Sequence, residues 1–395
     1  MSFETPIAAK PHVAPWNNPR ARGFFLQGVL LVALVSLAAA LVVNTRANMI
    51  QRGIPLGFDF WNRTAGFDIN LTLVSYSSVS TYGRAFLVGL LNTLLVAGLG
   101  IILATIVGFA VGVARLSSNF VVAKLATLYV ETLRNIPLLL QLLFWYNAVL
   151  KPLPNPREAI ALGGGIFLHN RGLAVPAPMF GVGSEYVVGT LAAAIILAIF
   201  YRLRARAIQM RTGAQKPVAL VAVLLVVVVP LIAFFAAGRP IGLDYPQLRG
   251  FNFVGGLRVL PEFVALLLGL TLYTATFIAE IVRAGILSVS RGQSEAAAAL
   301  GLKSPQVLKL VVLPQAMRVI VPPLTNQFLN LTKNSSLAVF IGYPDLVQVF
   351  AGTVLNQTGA AVQVIAITMA VYLALSLVLS FAMGLYNRRM RLAER

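Results

Sequence analysis

Residues 285–314 read GILSVSRGQSEAAAALGLKSPQVLKLVVLP. No other long segment between apolar stretches is at once polar, helix-prone and punctuated. Ser290 and Gln293 have the spacing of a capping box, and Glu295 to Leu300 is Ala-rich helix former. Gly301 suits the left-handed residue that closes a first helix. Ser304 before Pro305 then supplies an N-cap and a first-position proline for a second helix, and Pro314 marks the next boundary. The stretch reads as two short helices forming a water-facing bracket between two apolar spans.

Composition says what is bracketed. The 395 residues are 58% hydrophobic and 11% charged, with a mean hydropathy of +0.84. That is too apolar for a soluble chain of this length, so the fold class is an all-α polytopic membrane protein. The net charge of +19 sits mostly in loops and reads as topology, not as a nucleic-acid surface. With no cysteine and two histidines, His12 and His169, both in loop-like sequence and read as solvated, no metal-ligand set is present.

Eight spans are expected, at about 23–44, 85–114, 125–150, 186–201, 217–237, 263–282, 319–340 and 361–386. The first is longer than the apolar region of a signal peptide and is expected to be retained. Residues 151–185 and 238–262 read as irregular loop, with PLPNP at 152–156 and glycines at 163–165. The organisation is a cytoplasmic N-terminal segment 1–22, an extra helix and periplasmic loop 23–84, a first core part 85–150, inserted periplasmic loops with a helical hairpin 151–262, and a second core part 263–395 containing 285–314.

If both termini are cytoplasmic, the segments on that side carry 20 of the 31 lysines and arginines, including all five in 202–216. The longer loops opposite carry ten, diluted by seven acids. The positive-inside rule therefore places both termini and the 285–314 stretch in the cytoplasm.

Glu295-Ala296-Ala297, Gly301 six residues after the glutamate, and Leu313-Pro314 resemble the EAA loop of ABC-importer permeases. The likeness extends through Ala279–Gly285, Arg291–Gln293, Pro322–Gln327, Thr332–Leu337 and Glu131–Gln141 to the polar-amino-acid subgroup. Many members of that subgroup have an acid where this chain has Asn334. The loops at 44–48, 65–69 and 80–84, with about 110 extra residues at 151–262, resemble the general L-amino-acid permeases of Gram-negative bacteria.

The resemblance implies a type I importer transmembrane domain with a MetI-like core and about eight helices, in the bacterial inner membrane. It implies import of L-amino acids from periplasm to cytoplasm. It also implies partners: ATPase subunits that bind ATP and Mg, a second permease subunit giving a heterodimer, and a periplasmic amino-acid-binding protein. Glu295, Ala296, Ala297, Gly301, Leu313 and Pro314 would then form the hook that couples to the ATPase.

The residues beside lipid supply candidates for the path. Lys333 lies deep in the seventh span, where a charge costs at least about 2.5 kcal/mol and must face a cavity, a partner or a counter-charge. Asn326, Asn330 and Lys333 recur at helical spacing, with Asn334 and Ser335 adjoining; they either line a substrate pathway or tie helices together. Pro322-Pro323 could break the helix there. Lys333 could pair with Glu131 or Glu280, and Glu280 with Arg283 as a helix-surface ion pair. Phe144, Trp145 and Tyr146 read as an interfacial aromatic belt.

No catalytic constellation and no cofactor is expected in this chain. A phosphate loop is missing, because Leu302 stands before Lys303-Ser304 where that pattern needs glycine. The rival reading is a secondary transporter driven by an ion gradient. It would be expected to show repeat halves and midmembrane acids, of which the sequence offers little.

Overall fold

The computed structural model describes residues 19–390. Lys10 and His12 in the expected N-terminal segment, and Arg391 and Arg395 in the tail, lie outside the described residues. Helix α1, Pro19–Gln51, carries no charge between Gly23 and Thr45, and the rest of the chain leaves almost all of that stretch uncovered. Helix α2, Tyr82–Ala114, starts where the Thr81 hydroxyl accepts from the Arg84 N–H at 3.2 Å.

The expected third span at 125–150 is not one helix. It divides into α3, Phe120–Asn135, and α4, Leu138–Leu150. Pro137 has no N–H and drives Ile136 to an extended backbone, φ −92° and ψ 127°. The carbonyls freed by the break find a side chain: Gln141 Nε2 donates to Leu133 O at 2.8 Å and to Ile136 O at 2.9 Å. Seven described helices are long and apolar enough to cross a membrane, and the broken pair α3–α4 takes the remaining expected position.

Residues 151–262 are more ordered than expected. Helix α5, Ser184–Thr212, and helix α6, Val218–Ala236, form the predicted hairpin, but α5 continues through the basic segment that was read as loop. The flanking loops carry short strands in place of irregular chain. Strands β1 (Ile160–Gly163), β2 (Ile166–His169), β3 (Gly172–Val175) and β4 (Ala177–Phe180) precede the hairpin. Strands β5 (Ile241–Asp244), β6 (Gln247–Arg249), β7 (Asn252–Val254) and β8 (Leu257–Val259) follow it.

β3 pairs with β8 and β4 with β5, so both loops merge into one cap across the hairpin base. The triple glycine occupies the β1–β2 turn with φ of +90°, +60° and +79°, a backbone that other residues adopt at a cost. His169 is not solvated: it is 1% exposed, its Nδ1 accepts the Arg171 N–H at 3.1 Å, and its ring stacks on Phe253.

Helix α7 is Pro261–Leu287 and the short helix α8 is Arg291–Ala299. Helix α9, Ser304–Ile341, runs without interruption through Pro314, Pro322 and Pro323. Pro314 is therefore not a boundary, because a π-turn at Leu308–Val312 comes immediately before it and the α-helix continues from Leu313. Nor does Pro322-Pro323 break the helix. Residues 347–358 form helix α10, which packs with Phe60, Tyr82 and Val364 in a second apolar cluster, and α11 is Ala361–Met390.

The main core lies between α2, α4, α7 and α9, around Val96, Leu142, Leu266, Ile278, Ile320 and Leu331. Helix association in lipid depends on close packing, because acyl chains are as apolar as leucine. The α2–α7 crossing shows this: a Cβ on Gly112 would lie 2.8 Å from both Ala279 O and Val282 Cβ.

Candidate functional site

The bracket folds as two helices at the α7 end, with the caps placed differently from the sequence reading. Ser290 is the N-cap of α8 but its hydroxyl makes no capping bond. The Gln293 side chain instead accepts from Gln315 Nε2 of α9, at 3.5 Å. At the second helix the N-cap is Lys303, whose backbone N–H donates to Gln306 Oε1 at 2.9 Å, and Ser304 is already the first helical residue.

Gly301 does close the first helix. Its φ is +81°, and the Leu302 N–H reaches back to Ala297 O at 3.2 Å while the Gly301 N–H donates to Ala298 O at 2.9 Å. That pair of bonds satisfies carbonyls a helix end otherwise leaves open.

The Glu-Ala-Ala triplet divides by direction. Ala297 is buried against Val307 and Val312, with Ile286, Val289 and Leu302 around them, so it anchors α8 to α7 and α9. Glu295 and Ala296 are exposed, as are Gly301 and Pro314; Leu313 is half-buried. Glu295 sits in the middle of α8 and not in its first turn. Beside α8 opens a cleft of about 460 Å³ lined by Leu287, Arg291, Ser294, Ala298, Ser304 and Leu308.

On α9, the structure brings Asn326, Asn330 and Lys333 together on one exposed face with Val319, Pro322 and Pro323. Asn334 is half-buried at the edge of that face. Ser335 leaves it: the side chain is fully buried and its hydroxyl donates to Thr332 O at 2.8 Å. Lys333 pairs with neither suggested acid. The two ion pairs among the described residues both involve Glu280, with Arg115 just past the end of α2 and with Arg283, the latter at 2.7 Å. The Glu280–Arg283 pair was legible from three-residue spacing; Arg115 was not, being far away in sequence.

The expected aromatic belt is largely turned inward. Trp145 and Tyr146 pack against the main core, and the Tyr146 hydroxyl donates to Glu262 at 2.7 Å. Phe144 stays exposed. Behind the α9 face lies a group that sequence reading overlooked. Asp345 is fully buried, with Oδ1 accepting the Gln348 N–H at 2.8 Å and Oδ2 accepting from the Tyr372 hydroxyl at 3.3 Å. Burial pushes its carboxyl up to about 7. Its one sequence signal was an acid flanked by apolar residues.

Residues 217–392 match the family described as binding-protein-dependent transport system inner membrane components. The general L-amino acid transport system permease protein AapQ of Rhizobium johnstonii is 49% identical over 401 residues, covering 100% of both chains. This chain belongs to the ABC-transporter permease family. The putative amino-acid ABC transporter permease YhdX of Escherichia coli is also 49% identical, over 96% of each chain. The glutamate/glutamine/aspartate/asparagine permease BztB of Rhodobacter capsulatus is 43% identical, again over 96% of each.

The permease is thus a multi-pass membrane component of an ABC importer and not an ion-gradient carrier. Membership implies an ATPase and a binding protein as partners. The alignment with AapQ spans the whole chain, residues 151–262 included.

Proposed function

We propose that this permease carries L-amino acids from periplasm to cytoplasm, with the bracket α8 as the hook that an ATPase subunit moves. The observation carrying this reading is the division of the triplet: Ala297 fixes α8 to the transmembrane helices while Glu295 and Ala296 face outward. A helix so held passes a push at its outer face into α7 and α9. Gly301 ends it sharply, and Leu313-Pro314 continues the path along α9, within which both residues lie. The ATP and Mg belong to the partner, and this chain contributes no catalytic group.

In this reading both termini and α8 are cytoplasmic, in the bacterial inner membrane. The exposed polar face of α9 meets a second permease subunit, in a heterodimer, and lines the path between them with Asn326, Asn330, Lys333 and Asn334. Ser335 supports that face from behind. A periplasmic binding protein delivers the amino acid on the opposite side.

The test is ATP-driven uptake by the full complex in proteoliposomes with Glu295→Lys. Uptake should fall by at least ten-fold with the subunits still assembled. Uptake equal to the parent's would overturn the hook, and gradient-driven uptake without the ATPase would overturn the importer reading.

A further inference from the structure

Helices α5 and α6 leave the cap at a common level. β4 pairs with β5 directly below them, the Gly181 N–H donates to Pro240 O at 2.7 Å, and a Cβ on Gly183 would lie 3.5 Å from that of Ala237. From that level the 19 residues of α6 reach about 28 Å at the helical rise of about 1.5 Å per residue. The 29 residues of α5 reach about 43 Å by the same rise. The shorter helix matches a hydrocarbon layer of about 30 Å, so the longer one emerges by roughly 15 Å.

The emerging part begins close to Leu203 and carries Arg202, Arg204, Arg206 and Arg211, all exposed. Residues 213–217, including Lys216, bring the chain back; the six Cα steps from Thr212 to Val218 reach at most about 20 Å, enough to cover that overshoot with the turn at Lys216–Val218. At about 100° per residue, Arg202 and Arg206 project from one side of the helix and Arg204 and Arg211 from the other. Between Glu185 and Asp244 the sequence has no acid, and none of these arginines is in an ion pair among the described residues. The hairpin packs mainly on itself, and the rest of this chain leaves its apolar surface largely exposed.

We propose that Arg202, Arg204, Arg206 and Arg211 form a collar that binds the anionic headgroups of phospholipids in the leaflet from which α5 emerges. The level is right, because the collar begins where the hydrocarbon ends. The chemistry is right too, because a guanidinium donates two parallel bonds to a phosphate and sheds water more readily than an ammonium. Basic residues just outside a membrane helix are attracted to anionic lipid over a distance set by salt screening. The collar holds the hairpin in the bilayer beside a core that it barely touches.

The experiment is native mass spectrometry of the purified full complex titrated with phosphatidylglycerol or phosphatidylcholine. The parent should retain phosphatidylglycerol in preference. The variant Arg202→Gln/Arg204→Gln/Arg206→Gln/Arg211→Gln should retain at least five-fold less. Equivalent Gln substitutions of Arg157, Arg171, Arg249 and Arg258 on the cap should change retention little. If the collar variant does not assemble, a photoreactive residue at Leu203 in the otherwise unaltered complex, reconstituted in vesicles with phosphatidylglycerol at three parts in ten, gives the same answer. Cross-linking to phosphatidylglycerol supports the collar. Cross-linking to a protein subunit, or equal retention of both lipids by the parent, overturns it.

Discussion

Arg115, in the residue closing α2, donates to the same carboxylate of Glu280 that Arg283 grips from the next turn of α7. One acid thus joins two helices at the end nearest α8. The Arg115 side chain is only 11% exposed, so removing its acid strands a partly buried cation.

Glu280→Gln should lower the melting temperature of the purified complex, through a loss of about 1–2 kcal/mol after allowing for solvent screening at a site this accessible. A double-mutant cycle of Arg115→Ala with Glu280→Ala should show a coupling of about 1 kcal/mol. Strict additivity would mean that the pair joins nothing.

At Gly112, α2 and α7 touch closely enough that a Cβ has no room. Gly112→Leu should destabilise the complex by about 1–3 kcal/mol, because Ala279 O and Val282 cannot both withdraw. Gly98 lies on the same helix with nothing within 4 Å of a built Cβ. Gly98→Leu is therefore expected to melt like the parent, and a matching loss there would remove the packing explanation.

Asp345 makes stability depend on pH. Its folded pKa, about 7, stands above the ordinary 3.8, so its contribution is fully present below the ordinary value and is lost as pH rises through about 7. The difference is on the order of 4 kcal/mol at most. Asp345→Asn should melt more flatly between those limits than the parent. A parallel pH profile for the two proteins would contradict the burial account.

His169 acts in the opposite sense. Burial, then Arg258 and Arg171, hold its pKa below the ordinary 6.5. The cap is therefore firm above that value and loses stability as pH falls below it, toward the lowered pKa. Limited proteolysis at pH 5 should cut residues 160–175 faster than at pH 7.5. His169→Phe, which keeps a ring against Phe253, should reduce that difference; an unchanged acid sensitivity would point to another group.

What the sequence disclosed was what local chemistry governs. Gly301 could be placed because a left-handed helix end is decided within a few residues, and the hairpin because apolar runs identify themselves. Pro137 was equally visible, yet the hydrophobic run around it read as unbroken; hydropathy ignores the missing N–H that Gln141 compensates. Proline also misled in the other direction at Pro314, where a π-turn absorbed it.

The failures elsewhere are of distance. His169 is dry where Phe253, beyond a whole helical hairpin in sequence, stacks on it. Arg115 finds Glu280 across the α2–α7 crossing. The short strands were hidden because four residues give too few alternations to announce a pleat, and their pairing partners lie on opposite sides of the hairpin.

That pairing has an architectural consequence. Chain enters and leaves the hairpin through a gate one backbone hydrogen bond wide, from Gly181 to Pro240. A tight turn in place of residues 182–239 would leave β4 and β5 as an ordinary β-hairpin and the four-helix core unaltered. The two membrane helices α5 and α6 thus hang from the rest of the molecule on one short β-ladder, as a pendant does on its clasp.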